Sequence, residues 1–189
     1  MTMAGFHRIS LTNPDPTFIR EDAGAKSVAF FAQVRPVWVD KVLYDELKLV
    51  SIARGGKNVR LCLHSAPGDD QHDMIILSRK GTLHPPHRHH GRAETFHMVE
   101  GRLAVFSFDA NADPAEFGVL NPGEVYRFSP DHYHTAMPLD DFAIHHESRT
   151  GPFLGDEDFI FPPWGPRAGD SAAMRRFSDR CLELLRDQP

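Results

Sequence analysis

The stretch from residue 81 to residue 101 decides the fold, and it reads Gly81-Thr-Leu-His-Pro-Pro-His87-Arg-His89-His-Gly-Arg-Ala-Glu94-Thr-Phe-His-Met-Val-Glu-Gly101. Side chains on an extended strand alternate between two faces, so His87 and His89 point the same way. Glu94 can return on the next strand and meet them. Neutral imidazoles and a carboxylate suit a divalent transition metal such as Fe, Mn, Ni or Zn. The stretch therefore predicts three ligands of one metal ion.

The spacing within this stretch carries more information than its histidine content. A histidine-rich run is often a solvated loop, and His-x-His alone is a weak signal. Here a glycine, five residues, His-x-His, four residues, Glu94, six residues and a second glycine follow in order. This frame resembles the first motif of the cupin superfamily at every position. The resemblance implies a mainly β fold, the cupin double-stranded β-helix or jelly-roll barrel, with a metal site.

Composition and charge bound the function classes. The chain has 189 residues, 41% hydrophobic and 25% charged, which fits one globular domain with a real core. The net charge is -5 and no cluster of basic residues occurs, so the sequence offers no positively charged surface for a nucleic acid. No apolar run is long enough to span a membrane, and the first residues lack the apolar stretch of a signal peptide, so we expect a cytoplasmic protein. Cys62 and Cys181 form no metal or redox motif.

A fourth metal ligand is expected from the second histidine cluster, Pro130-Asp-His132-Tyr-His134. His134 falls where the second cupin motif places a histidine after a tight turn. That motif is degenerate here, because Ser129 replaces a usual proline and Asp131 a usual glycine. Asp tolerates positive φ, so the turn can survive. His132 is the rival ligand, but we favour His134 because it starts a strand.

The rest of the chain divides into three parts. Residues 1–36 are predicted as an N-terminal arm with a short strand at 27–34, which adds to a sheet edge of this chain or of a partner. Residues 37–167 form a single cupin domain with a leading helix at 39–53, ended by Gly55-Gly56. Residues 168–189 hold a C-terminal helix that Asp170 or Ser171 caps and that runs through Arg186.

Short strands separated by turns fill the predicted domain and favour an antiparallel sandwich or barrel. Strands 95–99 and 102–108 are expected to pair as a hairpin around Glu100-Gly101. After Gly151-Pro152 the chain is irregular, and its aromatic residues are expected to form an ordered strap over an apolar barrel face. The other predicted strands are 60–64, 74–78, 116–120, 125–128, 134–137 and 142–147.

A closer resemblance, over residues about 39–167, is to the WbuC family of cupin-fold metalloproteins. The matching segments include Pro85-Pro-His87-Arg-His89, Glu94-Thr-Phe-His, Tyr133-His134, His146-Glu147 and Pro163-Trp164-Gly-Pro. Members of that family often accompany bacterial genes for surface-polysaccharide biosynthesis, and no reaction is securely attached to them. The resemblance therefore implies a metal-binding cupin and leaves the chemistry open.

Strand parity sorts the remaining candidates for the pocket. If Glu94 faces inward, so does Phe96, which becomes a candidate for contact with substrate. Tyr126 is expected to face inward as a polar group above the metal, although a core tyrosine with a satisfied hydroxyl fits equally well. His146 is expected to face inward if its strand neighbours Phe142 and Ile144 are core. Arg92 lies at the expected mouth and could meet an anionic ligand, although an ordinary surface arginine is the favoured reading.

Two functions remain open from the sequence. The first is a metal-dependent enzyme, an isomerase or epimerase or an oxygenase, that acts on a small polar substrate, either sugar-related or an organic acid, with Tyr126 and His146 as catalytic candidates. The second is a non-catalytic module that holds a metal and a small ligand. A homodimer is expected by analogy with the fold, and no nucleic acid or membrane partner is expected.

Overall fold

The computed structural model of the chain describes residues 8–186. This part is mainly β, with one α-helix before most of the strands and one after them. The helices are α1 (Lys41–Ala53) and α2 (Ser171–Arg186), and a short 3₁₀ turn covers Gly155–Asp158. The strands are β1 (Ile19–Glu21), β2 (Val28–Ala32), β3 (Val59–Cys62), β4 (Gln71–Arg79), β5 (Glu94–Glu100), β6 (Leu103–Phe108), β7 (Pro114–Leu120), β8 (Val125–Arg127), β9 (Tyr133–Pro138) and β10 (Phe142–Thr150).

The strands form two sheets that pack face to face. The larger sheet has seven strands in the order β1-β2-β3-β4-β10-β5-β8, and the smaller has three in the order β7-β6-β9. Phe96 and Met98 from the larger sheet share a buried cluster with Leu103 and Val105 from the smaller one. The site described below lies between the two sheets.

A helix covers the outer face of each sheet. Leu43 and Leu47 of α1 pack with Ile144 in a core cluster on the outer side of the larger sheet. Phe177 of α2 packs with Phe108 on the outer side of the smaller sheet. The strands of the larger sheet are therefore apolar on both faces, which makes parity alone ambiguous about which face looks into the site.

The mainly β architecture and both helices are confirmed. Asp40 caps α1 by accepting a hydrogen bond from the Leu43 backbone N–H at 3.2 Å, so the helix begins two residues later than predicted. Asp170 caps α2 by accepting from the Ala173 N–H at 2.9 Å. The two sheets do not close into one continuous barrel, and an isolated bridge between His87 and His134 joins the segment between β4 and β5 to β9 of the smaller sheet.

Two predictions about the strands need correction. The hairpin expected around Glu100-Gly101 does not form, because β5 pairs with β10 and β8 while β6 pairs with β7 and β9. Gly101 adopts a φ of 75° against the Phe142 carbonyl and turns the chain from one sheet into the other. The arm is more regular than expected. Residues 19–21 form strand β1, which pairs with β2, and β2 in turn runs parallel to β3 and pairs with it. Its first seven residues lie outside the described part.

Across residues 8–186, no helix has the length and apolarity needed to cross a membrane.

Candidate metal centre

The structure brings together the four residues that the sequence predicted as metal ligands. His87, His89, Glu94 and His134 each offer one ligand atom, and these atoms all lie within 4.8 Å of one another. Glu94 opens β5 in the larger sheet, and His134 lies near the start of β9 in the smaller one. The backbones of His87 and His134 exchange two hydrogen bonds, of 3.1 and 2.7 Å, which hold the two motifs against each other.

Hydrogen bonds fix the tautomers of two of the imidazoles. His87 Nδ1 lies 2.9 Å from the Pro85 carbonyl, and His89 Nδ1 lies 2.9 Å from the Asp158 carbonyl. Because a carbonyl oxygen can only accept, each Nδ1 carries the proton and donates. Each Nε2 then keeps a free lone pair, which is the state in which an imidazole binds a metal.

His134 shows that the four-residue group suits a cation. Its side chain is buried, and neither ring nitrogen forms a hydrogen bond with the described residues. Its Nε2 lies 3.3 Å from Glu94 Oε2, without the geometry of a hydrogen bond. Buried polar atoms are normally paired, so two unpaired nitrogens beside a buried carboxylate fit the binding of a cation. The donor set of three imidazoles and one carboxylate suits a divalent transition metal.

Burial and close charges set the protonation states in this group. Burial lowers the pKa of His87 to about 3, helped by the neighbouring His134, so its imidazole is neutral at ordinary pH. Burial would raise the pKa of Glu94, but His134 and His89 outweigh it and hold that pKa well below its usual range. The site therefore presents a charged carboxylate and, at His87, a neutral imidazole, whereas Glu94 raises the pKa of His89 against its burial, so a metal would displace a proton there.

A cavity of about 220 Å³ lies against this group. Phe96, Phe128 and Phe159 give it apolar walls, whereas Arg60, His145 and Glu147 place polar groups in it. Phe159 packs edge-on against His87 with ring centroids 5.0 Å apart, so part of the expected aromatic strap does reach the site. An apolar cavity with a few polar groups is typical of a small-molecule site.

Asp158, on the 3₁₀ turn, supports the four-residue group from behind. It is almost fully buried, and its carboxylate accepts hydrogen bonds from Arg149 at 2.9 Å and from Arg92 at 2.9 Å. Arg149 also lies 3.4 Å from Glu94 Oε1. Arg92 donates a second bond to the Pro152 carbonyl and is not among the residues that line the cavity. The expected contact of Arg92 with an anionic ligand is therefore corrected, since its guanidinium is occupied in anchoring the turn.

Tyr126 does not take the position expected for it above the metal. Its ring packs beside Phe128, and its hydroxyl donates to Glu116 at 2.7 Å and lies 3.3 Å from Ser107. It is not among the residues that line the cavity. The other interpretation, a packed tyrosine with a satisfied hydroxyl, describes it better.

The inward histidine of β10 is His145, and the orientation predicted for His146 is wrong. His145 is buried and lines the cavity, while His146 bonds to Asp73 at 3.1 Å on the other face. Ile144 was expected to mark the inner face. Ile144 is indeed buried, but in the cluster beneath α1.

The parity that turns His146 outward turns its neighbour Glu147 inward. Its carboxyl lines the cavity, is 13% exposed and forms no hydrogen bond with the described residues. Burial, with a smaller contribution from Glu94, raises its pKa to about 7. If α1 is assumed to cover the outer face of the sheet, Ile144 belongs to that face, and the sequence then predicts that Glu147 faces inward. No comparable signal marks Asp158, whose turn follows an irregular segment.

Residues 40–117 match a family described as a domain of unknown function, DUF6016, which covers less than half of the chain. This segment contains His87, His89 and Glu94 but ends before His134. No curated protein sequence matches the chain.

Several solved structures overlap with about half of the chain. A Vibrio cholerae HTH_3 family transcriptional regulator shares 22% identity over 50% of this chain and 51% of its own, with a TM-score of 0.41. The capsular polysaccharide assembling protein CapF of Staphylococcus aureus shares 19% identity over 56% of this chain and 29% of its own, with a TM-score of 0.45. The L-ribose isomerase of Cellulomonas parahominis shares 17% identity over 56% of this chain and 69% of its own, also with a TM-score of 0.45. The chain spans about half or less of the first structures matched, and likenesses at this level establish neither a shared fold nor a shared activity.

Proposed function

We propose that this chain is a cupin resembling the WbuC family, with a jelly-roll fold, and that it is a metal-dependent enzyme. It holds one divalent transition metal (Fe, Mn, Ni or Zn) through His87, His89, Glu94 and His134. The substrate is a small polar molecule, either sugar-related or an organic acid. One observation carries the proposal: four donor atoms within 4.8 Å of one another lie against a cavity that also contains the Glu147 carboxyl.

The metal would supply Lewis-acid chemistry, polarising a carbonyl or hydroxyl group, or would bind O2 if it is Fe(II). The protein supplies position and proton transfer. Phe96 and Phe128 enclose the substrate and exclude water. Glu147 gives or takes the proton, because a carboxyl with a pKa near 7 is efficient in both directions at neutral pH. This role replaces those first considered for Tyr126 and His146, and it favours an isomerase or epimerase over an oxygenase.

The alternative is a binding module that holds a metal and a small ligand without converting it. The two functions differ in whether a general acid or base lies inside the cavity. Glu147 meets that condition by position and by its raised pKa, which is why we favour the enzyme. A homodimer and a cytoplasmic location remain predictions.

The experiment uses untagged, metal-loaded protein and a panel of nucleotide sugars and small acids. Ligands that raise the melting temperature are then followed by NMR for conversion. We expect at least one ligand to be converted by wild type and bound but not converted by Glu147→Gln. His146→Gln is the matched control, since His146 is next to Glu147 in sequence but points to the outer face. This variant should retain turnover. Binding without conversion by wild type would favour the module, and loss of turnover in His146→Gln alone would restore the original assignment.

A further inference from the structure

Arg60 places a positive charge in the cavity outside the four-residue group. It lies on β3 and lines the cavity together with Ile76, its partner on β4. Strands β4 and β10 separate β3 from β5, where Glu94 lies. The guanidinium therefore belongs to a different part of the cavity wall from the metal ligands.

Arg60 forms no direct ion pair with a carboxylate of the described residues, and its charge acts on Glu147 only at longer range across the cavity. Its Nε is buried without a hydrogen-bond partner, and the guanidinium forms no ion pair with the described residues. Arg149, the other arginine in the cavity lining, contrasts with it because Arg149 contacts Asp158, Glu94 and Glu147. The Arg60 side chain is partly buried, and a partly buried guanidinium without a direct carboxylate partner is well placed to bind an anionic ligand.

A second unpaired polar group lies in the same row of the sheet. His145, on β10, lies opposite Ile76 of β4, and Ile76 lies opposite Arg60 of β3. The three residues therefore form one row across three strands. His145 is only 4% exposed, and its Nδ1 has no hydrogen-bond partner. Its neutral imidazole carries one N–H that can donate, as a guanidinium does. Both groups lack an acceptor, and both line the same cavity.

We propose that the cavity binds a small organic acid whose carboxylate rests on Arg60, with an N–H of His145 as a further donor. The planar fork of arginine matches a carboxylate and gives it two parallel hydrogen bonds. A cavity of about 150 Å³ holds benzene, so one of about 220 Å³ admits a small acid. This inference rests on the proposed function for the other end of the ligand, which would face the metal. It selects the organic acid over an uncharged sugar as the substrate class.

The test compares acids with neutral compounds of the same carbon skeleton. Metal-loaded full-length protein is titrated calorimetrically with lactate and propylene glycol, and with gluconate and glucitol, to millimolar concentration. We expect each bound acid to exceed its neutral counterpart by at least about tenfold in affinity. The variants are Arg60→Gln, which removes the charge, and Arg60→Lys, which keeps the charge but loses the fork. Arg127→Gln on β8 is the control, since Arg127 is exposed and outside the cavity.

The proposal stands if the affinity for the acid falls about tenfold or more in Arg60→Gln, falls less in Arg60→Lys and is unchanged in Arg127→Gln. It is overturned if acid and neutral compound bind equally, if no acid binds wild type, or if Arg60→Gln binds the acid unchanged. Because the wild-type comparison needs no variant, poor folding of a variant does not rescue the proposal. Metal content is measured in parallel. Acid binding that depends on Arg60 in a protein without stoichiometric metal would refute the metal site and leave this inference intact.

Discussion

Glu94 is where two opposing electrostatic effects meet. Burial disfavours its charged form, while the neighbouring His134 and His89 favour it and hold its pKa well below the usual range. Its Oε1 lies 2.7 Å from His89 Nε2, the nitrogen left with a lone pair once Nδ1 donates to Asp158. A carboxylate facing a lone pair is repelled unless a proton or a metal lies between them. Burial would lower the pKa of His89, but Glu94 outweighs it and raises that pKa, so a proton holds this contact in metal-free protein and a bound metal would displace it.

At the same scale, Glu147 predicts a pH dependence of stability. Its pKa is raised to about 7 in the folded protein, against about 4.3 in an unfolded chain. Between these values the folded state holds a proton that the unfolded state has released, so stability falls as pH rises through this window. Glu147→Gln removes that loss. We expect the melting temperature of the variant, relative to metal-free wild type, to increase from about pH 4 to about pH 7.

The measurement is thermal unfolding of the two metal-free proteins at matched pH. A difference in melting temperature that stays constant across the window would contradict the raised pKa of Glu147. A difference that grows in the opposite direction would mean that the carboxylate is stabilised by its arginine neighbours instead.

Individual residues also show how far the sequence could be used. The spacing of His87, His89 and Glu94 is local, and each is placed by its own motif. The prediction for His146 failed because it needed knowledge of α1, an element distant in sequence that buries Ile144 on the outer face. Arg60 and Asp158 could not be predicted, because their importance depends on contacts between strands and turns that no local pattern records.

Among the elements, the 3₁₀ turn at residues 155–158 links the irregular segment to the four-residue group. Asp158 at its end holds Arg149 and Arg92, and its carbonyl accepts from His89. We expect Asp158→Asn to destabilise the protein by about 3 kcal/mol, because Arg149 is left buried with a weakened partner. Metal affinity should also fall roughly 10- to 100-fold, since Arg149, no longer held by the Asp158 carboxylate, would compete with the metal for Glu94. Urea unfolding and competition with a chelator measure the two effects.

The matched control is Asp156→Asn on the same turn. Asp156 is exposed and pairs with Lys26 at the surface, where an ion pair contributes little. This variant should match wild type in both measurements. If Asp156→Asn were as damaging as Asp158→Asn, the turn would matter for its backbone alone, and the ion pairs of Asp158 would not be its main contribution.

At the scale of the whole molecule, the metal ligands come from both sheets and from the segment between β4 and β5. Glu94 belongs to the larger sheet, and His134 to the smaller one. A metal bound between them should stabilise the whole fold, because it binds the folded state and not the separated sheets. With free metal at about a hundredfold its dissociation constant, the gain is about 2.7 kcal/mol, or roughly 5–10 °C in melting temperature.

Chelation of metal-loaded protein, followed by dialysis and thermal unfolding, measures this gain. The melting temperature should fall on removal of the metal and return when the metal is restored. An unchanged melting temperature would mean that the two sheets are held without the metal.

The most direct test of the account is the metal content of untagged protein, measured by elemental analysis. We predict one divalent transition metal per chain in wild type, none after replacement of both His87 and His89 with Ala, and an unchanged content in His132→Ala. Full metal content in the double variant would contradict the site. Loss of metal in His132→Ala would show that His134 is the wrong choice for the fourth ligand.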